Sequence, residues 1–284
     1  MARPISAPRP LPVATGALPC GTGRVASIAI RHPVEATEVK LGQRLGAGLV
    51  AEVFEWGADV IKLYQPGQGK EQAFREAATL AMLEHGKLPV PKVRGVLETD
   101  GRWGVVMSRA PGRPIAAVML EHPGDAQAML DDVVRLQLRI HAEPGQFLPR
   151  LRDRLRGAIA RARQLSANEI GATLQLLETL PDGDRLCHGD FHPYNVMGTA
   201  EAPVIIDWLD ATKGAPEADA CRSYLLLLHA VPDVAATYLD AYVRLSGRAR
   251  EAILAWLPVL AAARLVEQVP GEHDRLAALV RSAL

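Results

Sequence analysis

His188-Gly189-Asp190-Phe191-His192-Pro193-Tyr194-Asn195, with Asp207 twelve residues after that asparagine in Ile206-Asp207-Trp208, is the stretch on which the reading of this chain turns. Phosphoryl transfer needs a carboxylate at the acceptor hydroxyl and oxygen ligands for magnesium, because its transition state is stabilised by positioning and charge neutralisation. An Asp five residues before an Asn, with a second Asp beyond, supplies both. β-Branched Val204, Ile205 and Ile206 close to these polar residues predict a small hairpin within 186–210. Such a hairpin holds polar loop residues rigidly.

Upstream, residues 39–45, 50–56 and 60–64 read as short strands, the second and third joined at Gly57-Ala58-Asp59. Short strands with tight turns predict an antiparallel sheet. Residues 70–85 follow, with Phe74, Ala77, Ala78, Leu80, Ala81 and Met82 near helical spacing, so one helix interrupts the sheet. Gly86, Pro89 and Pro91 end it, and 92–97 and 103–108 predict two more strands around an Asp100-Gly101 turn. Beyond Ala110-Pro111-Gly112 come Ala/Leu/Arg-rich helical segments at 125–141, 149–165 and 168–180, then several from Glu217 onward. The expected class is α+β: an N-terminal lobe (31–110) with a five-stranded antiparallel sheet and one helix, then a mainly helical lobe (111–284) holding the catalytic loop and acceptor site.

Leu45-Gly46-Ala47-Gly48 falls between two predicted strands, where glycines let backbone N–H groups approach phosphate oxygens. On a following strand Lys62 sits within apolar Val60-Ile61-Lys62-Leu63, a position that costs free energy unless the charge is paired. Glu76, 14 residues on in the helix, is the expected partner, with Glu71 the alternative.

The 284 residues are 49% hydrophobic, enough to fill a sizeable core. Lys plus Arg and Asp plus Glu number 32 each, so the whole-chain field favours neither a nucleic-acid nor an anionic-membrane partner. Cys20, Cys187 and Cys221 are far apart with no C-x-x-C pair, which argues against a zinc site or disulfide framework and for a reducing cytoplasm. The apolar stretch 252–266 contains Pro258 and Arg264; it falls short of the roughly 18–20 residues of a membrane span and reads as a buried helix. The first 30 residues hold five prolines and no signal-peptide core, and are expected to be a disordered lead-in with a candidate edge strand at 25–30. The oligomeric state is not legible in the sequence.

These motifs resemble the aminoglycoside phosphotransferase-like family, relatives of choline and fructosamine kinases. There H-G-D-x-H-x-x-N and I-D-W stand where protein kinases carry H-R-D-x-x-x-x-N and D-F-G. The resemblance implies a bilobal protein-kinase-like fold and transfer of the γ-phosphoryl group of ATP or GTP, with Mg2+, to a hydroxyl of a small molecule. It implies Asp190 as catalytic base, His188 grouped with it as the brace of the loop, His192 as the family's second histidine, and Asn195 and Asp207 as metal ligands. Gly46, Gly48, Lys62 and Glu76 would serve the phosphates, the hinge from Met107 to Arg109 would meet the adenine edge through its backbone, and Asp219 would anchor the catalytic loop. The nine residues from Val53 to Lys62, Ala51 in place of a third glycine, and no long segment leading to an A-P-E element argue against protein phosphorylation. A protein Ser or Thr hydroxyl is the alternative acceptor, and a nucleotide-binding regulatory module the alternative role.

Aminoglycosides are polycations, and their sites should present clustered carboxylates. Here the segment 150–163 carries Arg150, Arg152, Arg154, Arg156, Arg161 and Arg163 against Asp153 alone, which argues against such an acceptor. Asp210, Glu217, Asp233 and Glu267, with Trp208 and Trp256, are the candidate acceptor contacts.

Overall fold

In the computed structural model, which describes residues 40–284, the strands β1 (Arg44–Ala47), β2 (Ala51–Trp56), β3 (Asp59–Tyr64), β4 (Val93–Thr99) and β5 (Arg102–Ser108) form one antiparallel sheet ordered β1-β2-β3-β5-β4. The proposed lead-in, the strand at 25–30 and the first residues of the N-terminal lobe lie outside the described residues. Alternation builds the sheet. Along β3, Val60 and Tyr64 join one buried cluster and Ile61 and Leu63 another, so the two faces of one strand serve two cores. Asp100 and Gly101 both have positive φ (51° and 69°), the backbone that a two-residue hairpin between right-twisted strands demands. The first strand is expected at 39–45 and is found as Arg44–Ala47, with a register shift between Arg44 and Gly46; ahead of it the Gly42 N–H still donates to the Glu55 carbonyl and the Glu55 N–H to the Gln43 carbonyl (3.0 Å each).

Helix α1 (Lys70–Leu83) packs on this sheet. Below it come α2 (Ile115–Glu121), α3 (Ala126–Ala142), α4 (Leu151–Ile159) and α5 (Ala167–Thr179). The short pairs β6 (Arg185–Cys187) with β9 (Thr212–Gly214) and β7 (Val196–Gly198) with β8 (Pro203–Ile205) follow. The chain closes with α6 (Pro216–Ala230), α7 (Pro232–Ser246), α8 (Arg250–Leu254), α9 (Leu257–Arg264) and α10 (His273–Arg281). One core fills the helical lobe, while a second joins Tyr64 and Met107 of the sheet and Leu80 of α1 to Ile140, Phe191 and Trp208 below it. Each fully buried large side chain of this kind contributes about 1.5–3 kcal/mol.

Three expectations need correction. Helix α2 is not among the expected elements; it winds about two turns between Pro114 and Pro123. The helix expected over 149–165 stops at Ile159, after which Arg161, Ala162 and Leu165 donate N–H bonds three residues back, a tighter winding that buries Ala162 and Leu165. The single helix expected at 252–266 is two, α8 and α9, because Pro258 in the first turn of α9 cannot continue the hydrogen-bond ladder of the helix before it. Among the described residues no helix is long and apolar enough to cross a membrane, and Cys187 and Cys221 are free, buried thiols.

Candidate functional site

Lys62 points from β3 toward α1, where its Nζ lies 3.0 Å from Glu76 Oε1 and 2.7 Å from Asp207 Oδ1. Lys62 is 7% exposed and Glu76 1%, so the ammonium sits between two carboxylates away from bulk water. Burial works against its charge, yet Glu76 and Asp207 hold the Lys62 pKa above its ordinary value. The second oxygen of Glu76 accepts from the Tyr64 hydroxyl, which is itself wholly buried. Glu71 takes no part: it lies in the first turn of α1 and is exposed.

The segment from His188 to Asn195 is pinned at both ends by backbone bonds. His188 is fully buried; its Nδ1 accepts from the Asp190 N–H (3.2 Å) and its Nε2–H donates to the Ile206 carbonyl (3.0 Å). Those partners fix a neutral tautomer, and burial lowers the His188 pKa. With both ring nitrogens committed to backbone, His188 is a brace and not a group open to substrate. The Ile206 N–H in turn donates to the Asn195 carbonyl (3.0 Å). Asp207 then turns outward with φ +65°, a left-handed backbone that a non-glycine residue adopts only when its surroundings hold it there.

Asn195 donates from Nδ2 to the Asp190 carbonyl (2.8 Å) and to Asp190 Oδ2 (3.1 Å). Its Oδ1 takes no hydrogen bond from the described residues and remains available to a cation. Asp190 has its side chain 27% exposed, with His192 Nε2 at 3.7 Å from Oδ2. Burial alone would raise its pKa, but His192, Arg222 and His188 outweigh it and hold the carboxyl at about 2. Gly189, with φ +83°, packs so closely on Asp210 that a Cβ there would overlap the Asp210 carbonyl oxygen.

Asp219 in α6 accepts from the Gly189 N–H (2.7 Å) through Oδ1 and meets His141 Nε2 (2.9 Å) through Oδ2. It therefore anchors the loop, as the resemblance implies. Asp219→Asn is expected to cost about 1.5–3 kcal/mol, the worth of charge-assisted hydrogen bonds, read as a lowered denaturant midpoint with unchanged slope.

Above the loop, a cleft of about 420 Å³ is lined by Gly46, Val53, Val60, Lys62, Met107, Asp207 and neighbours. Met107 is buried at its back wall. The N–H groups of Arg109 and Ala110, just past β5, meet no hydrogen-bond acceptor among the described residues, while the Arg109 guanidinium is spent on Glu55 (2.9 Å). Gly48 closes its turn by donating to the Ala51 carbonyl (2.8 Å).

Of the candidate acceptor contacts, Asp210 and Glu267 line a second cavity beside Gly189. Glu217 pairs with Arg248, and Asp233 lies in the first turn of α7. Trp208 and Trp256 are 0% and 2% exposed and belong to the core. The arginine-rich segment divides: Arg150 reaches Asp182, Arg156 reaches Asp153 and Glu178, and Arg152 is buried against the Leu177 and Leu180 carbonyls. Arg154 and Arg161 turn to the second cavity. The sequence reading passed over Tyr64 and Arg222. Tyr64 is legible in principle, two residues after Lys62 and so on the same strand face; Arg222 carries no local signal, since its partners Gly189 and Glu267 are 33 and 45 residues away.

Residues 42–257 match the model of the phosphotransferase enzyme family. Among solved structures the chain is similar to a thermostable mutant of aminoglycoside phosphotransferase APH(4)-Ia in ternary complex with ADP and hygromycin B (TM-score 0.61, 18% identity, 86% of this chain and 94% of that one). It is similar also to aminoglycoside-3'-phosphotransferase of type VIII (0.58, 22%, 81% and 93%). The streptomycin-ATP-APH(2")-IIa ternary complex is a third (0.56, 15%, 87% and 92%). No curated protein matches the chain by sequence. At these identities the likeness is one of fold.

Proposed function

The chain belongs to the phosphotransferase enzyme family, and from that premise we propose that it transfers the γ-phosphoryl group of ATP to a hydroxyl of a small molecule. The observation that carries this reading is Lys62 bound at once to Glu76 (3.0 Å) and Asp207 (2.7 Å) at the wall of a cleft whose far side leads to the Asp190–Asn195 loop. An ammonium so placed neutralises the α- and β-phosphates, and the free N–H groups after β5 fit an adenine edge. Gly46 and Gly48 give the phosphates a bare backbone to approach. ATP is the donor we adopt; the backbone contacts would serve GTP as well.

Asn195 Oδ1 and the Asp207 carboxylate are hard oxygen donors, few in number, which suits magnesium, an ion that keeps waters and substrate phosphates among its ligands. When bound, Mg2+ supplies charge neutralisation to the phosphate oxygens. Asp207 becomes fully available to it once Lys62 exchanges that carboxylate for a phosphate. Asp190 accepts the hydrogen bond of the acceptor hydroxyl and orients its oxygen in line. The oxygen–phosphorus bond forms, the β–γ bridging bond breaks, ADP departs and the hydroxyl proton passes to Asp190. Eight residues separate Asp207 from the start of α6 at Pro216, too few for a peptide-binding platform, so a small acceptor is favoured over a protein hydroxyl.

The test is ADP release with acceptors screened by an added phosphate in mass spectra. Chelation with EDTA is expected to abolish turnover and excess Mg2+ to restore it. Binding of Mg–ATP without turnover of any acceptor would overturn the reading and leave the nucleotide-binding regulatory module; failure to bind Mg–ATP would remove both.

A further inference from the structure

The second cavity, of about 170 Å³, is bounded by α4, α6 and α9 and floored by Gly189, the residue before Asp190. Its volume is below the range of about 300–1,000 Å³ typical of drug-sized ligands. The charged groups facing it are Arg154, Arg161, Arg222, Asp210, Asp219 and Glu267. Every carboxylate among them is already engaged. Asp210 is clasped by Arg154, which also donates to its carbonyl at 2.7 Å. Asp219 is bound by His141 and the Gly189 N–H. Glu267 receives both Arg222 (2.7 Å) and Arg264 (2.8 Å).

The cations are not all engaged. Arg161 has no carboxylate or hydrogen-bond partner among the described residues, and its guanidinium folds back over Gly157, where Nη1 would stand 3.6 Å from a Cβ. Arg222 uses Nε on the Gly189 carbonyl (3.2 Å) and Nη2 on Glu267, leaving Nη1 without a partner. The cavity thus offers unspent guanidinium donors and no unspent carboxylate. A polycation gains nothing there, whereas a carboxylate or phosphate group meets charge-assisted donors.

Resting on the phosphotransferase reading above, we infer that the acceptor is a small hydroxylated anion, its carboxylate or phosphate held by Arg161 and Arg222 so that a hydroxyl faces Asp190. This separates the protein from relatives whose structures hold hygromycin B or streptomycin, which are polycations.

The experiment compares four arms at equal concentration: hydroxy-carboxylates (glycerate, gluconate), sugar phosphates (glycerol 3-phosphate, glucose 6-phosphate), neutral polyols (glycerol, glucose) and aminoglycosides (hygromycin B, kanamycin). Each is measured by calorimetric binding and by ADP release with Mg–ATP. Binding in one of the anionic arms, weakened about tenfold or more by Arg161→Ala and largely kept by Arg161→Lys, is the expected result; which anionic arm responds separates carboxylate from phosphate. Arg161 is exposed, so its variants fold, and a thermal melt checks this. Anion binding that depends on Arg161 without ADP release in any arm would sustain the anion site at Arg161 and Arg222 and sink the phosphotransfer reading, and with it the acceptor role of the anion. ADP release confined to the neutral or aminoglycoside arm would do the reverse. No binding in either anionic arm, or binding indifferent to Arg161→Ala, overturns the inference.

Discussion

Asp190→Asn is expected to lower kcat by about 10²–10⁴-fold, the usual worth of a positioned acid–base group, while Mg–ATP still binds. The variant keeps a carbonyl oxygen where Asn195 Nδ2 now donates (3.1 Å), so the loop retains its shape. What it loses is the negative charge. That charge is unusually secure, since the Asp190 carboxyl is held at about 2 despite burial. A folded pKa below the unfolded value of about 3.9 means that its contribution to stability is present above pH ~4 and is lost as pH falls toward 2. The size of the contribution is about 2 kcal/mol, too little to unfold a domain of ordinary stability, so the kinetic loss cannot be ascribed to unfolding. A carboxylate this acidic is a weak base; it orients the hydroxyl and receives the proton late, in keeping with a loose phosphoryl-transfer transition state. The same value predicts no acid limb from Asp190 above pH ~4 in the pH profile of the wild-type kcat. A profile whose limb near neutrality vanished in Asp190→Asn would reject this assignment.

The legible parts of the fold are those set by neighbours in sequence. Asp100-Gly101 writes its own hairpin, Gly86 and the prolines after it end α1, and Val60 to Tyr64 is the short apolar run of a strand buried on both faces. Spacing also brought Asp190, Asn195 and Asp207 forward, because each belongs to a loop of fixed length between short strands. Arg152 shows where such reading stops. By sequence it is one of a run of arginines on a helix; in the fold it is buried against two carbonyls at the end of α5, while Arg161 and Arg163, after the helix has ended, have no partner among the described residues. The difference depends on α4 stopping at Ile159, which itself depends on burying Ala162 and Leu165 against helices distant in sequence. His188 is similar: only the positions of Ile206 and the Asp190 amide decide that both its nitrogens are committed.

The second large effect is one of stability. Lys62→Met keeps the aliphatic stem packed but removes the ammonium, and is expected to destabilise the protein by about 3–5 kcal/mol, the cost of leaving one partner of a buried pair without its counter-charge. Glu76 is the partner that suffers. It is 1% exposed and would retain only the Tyr64 hydroxyl, whereas Asp207, with its side chain 37% exposed, can turn to water. The Lys62 pKa is raised in the folded state, so its contribution is fully present below the unfolded value of about 10.4 and is lost as pH rises beyond it. The gap between wild type and variant should therefore be level from neutral pH to about 10 and narrow above it. On the acid side the gap should narrow as well, because a lone buried Glu76 is relieved by taking up a proton. Adding Glu76→Gln to Lys62→Met removes the stranded charge and should return part of the loss. Urea denaturation without nucleotide measures all of this apart from catalysis. A single variant within about 1 kcal/mol of wild type would mean that the pair is solvated in solution, and the electrostatic basis assigned to the phosphate site would fall with it.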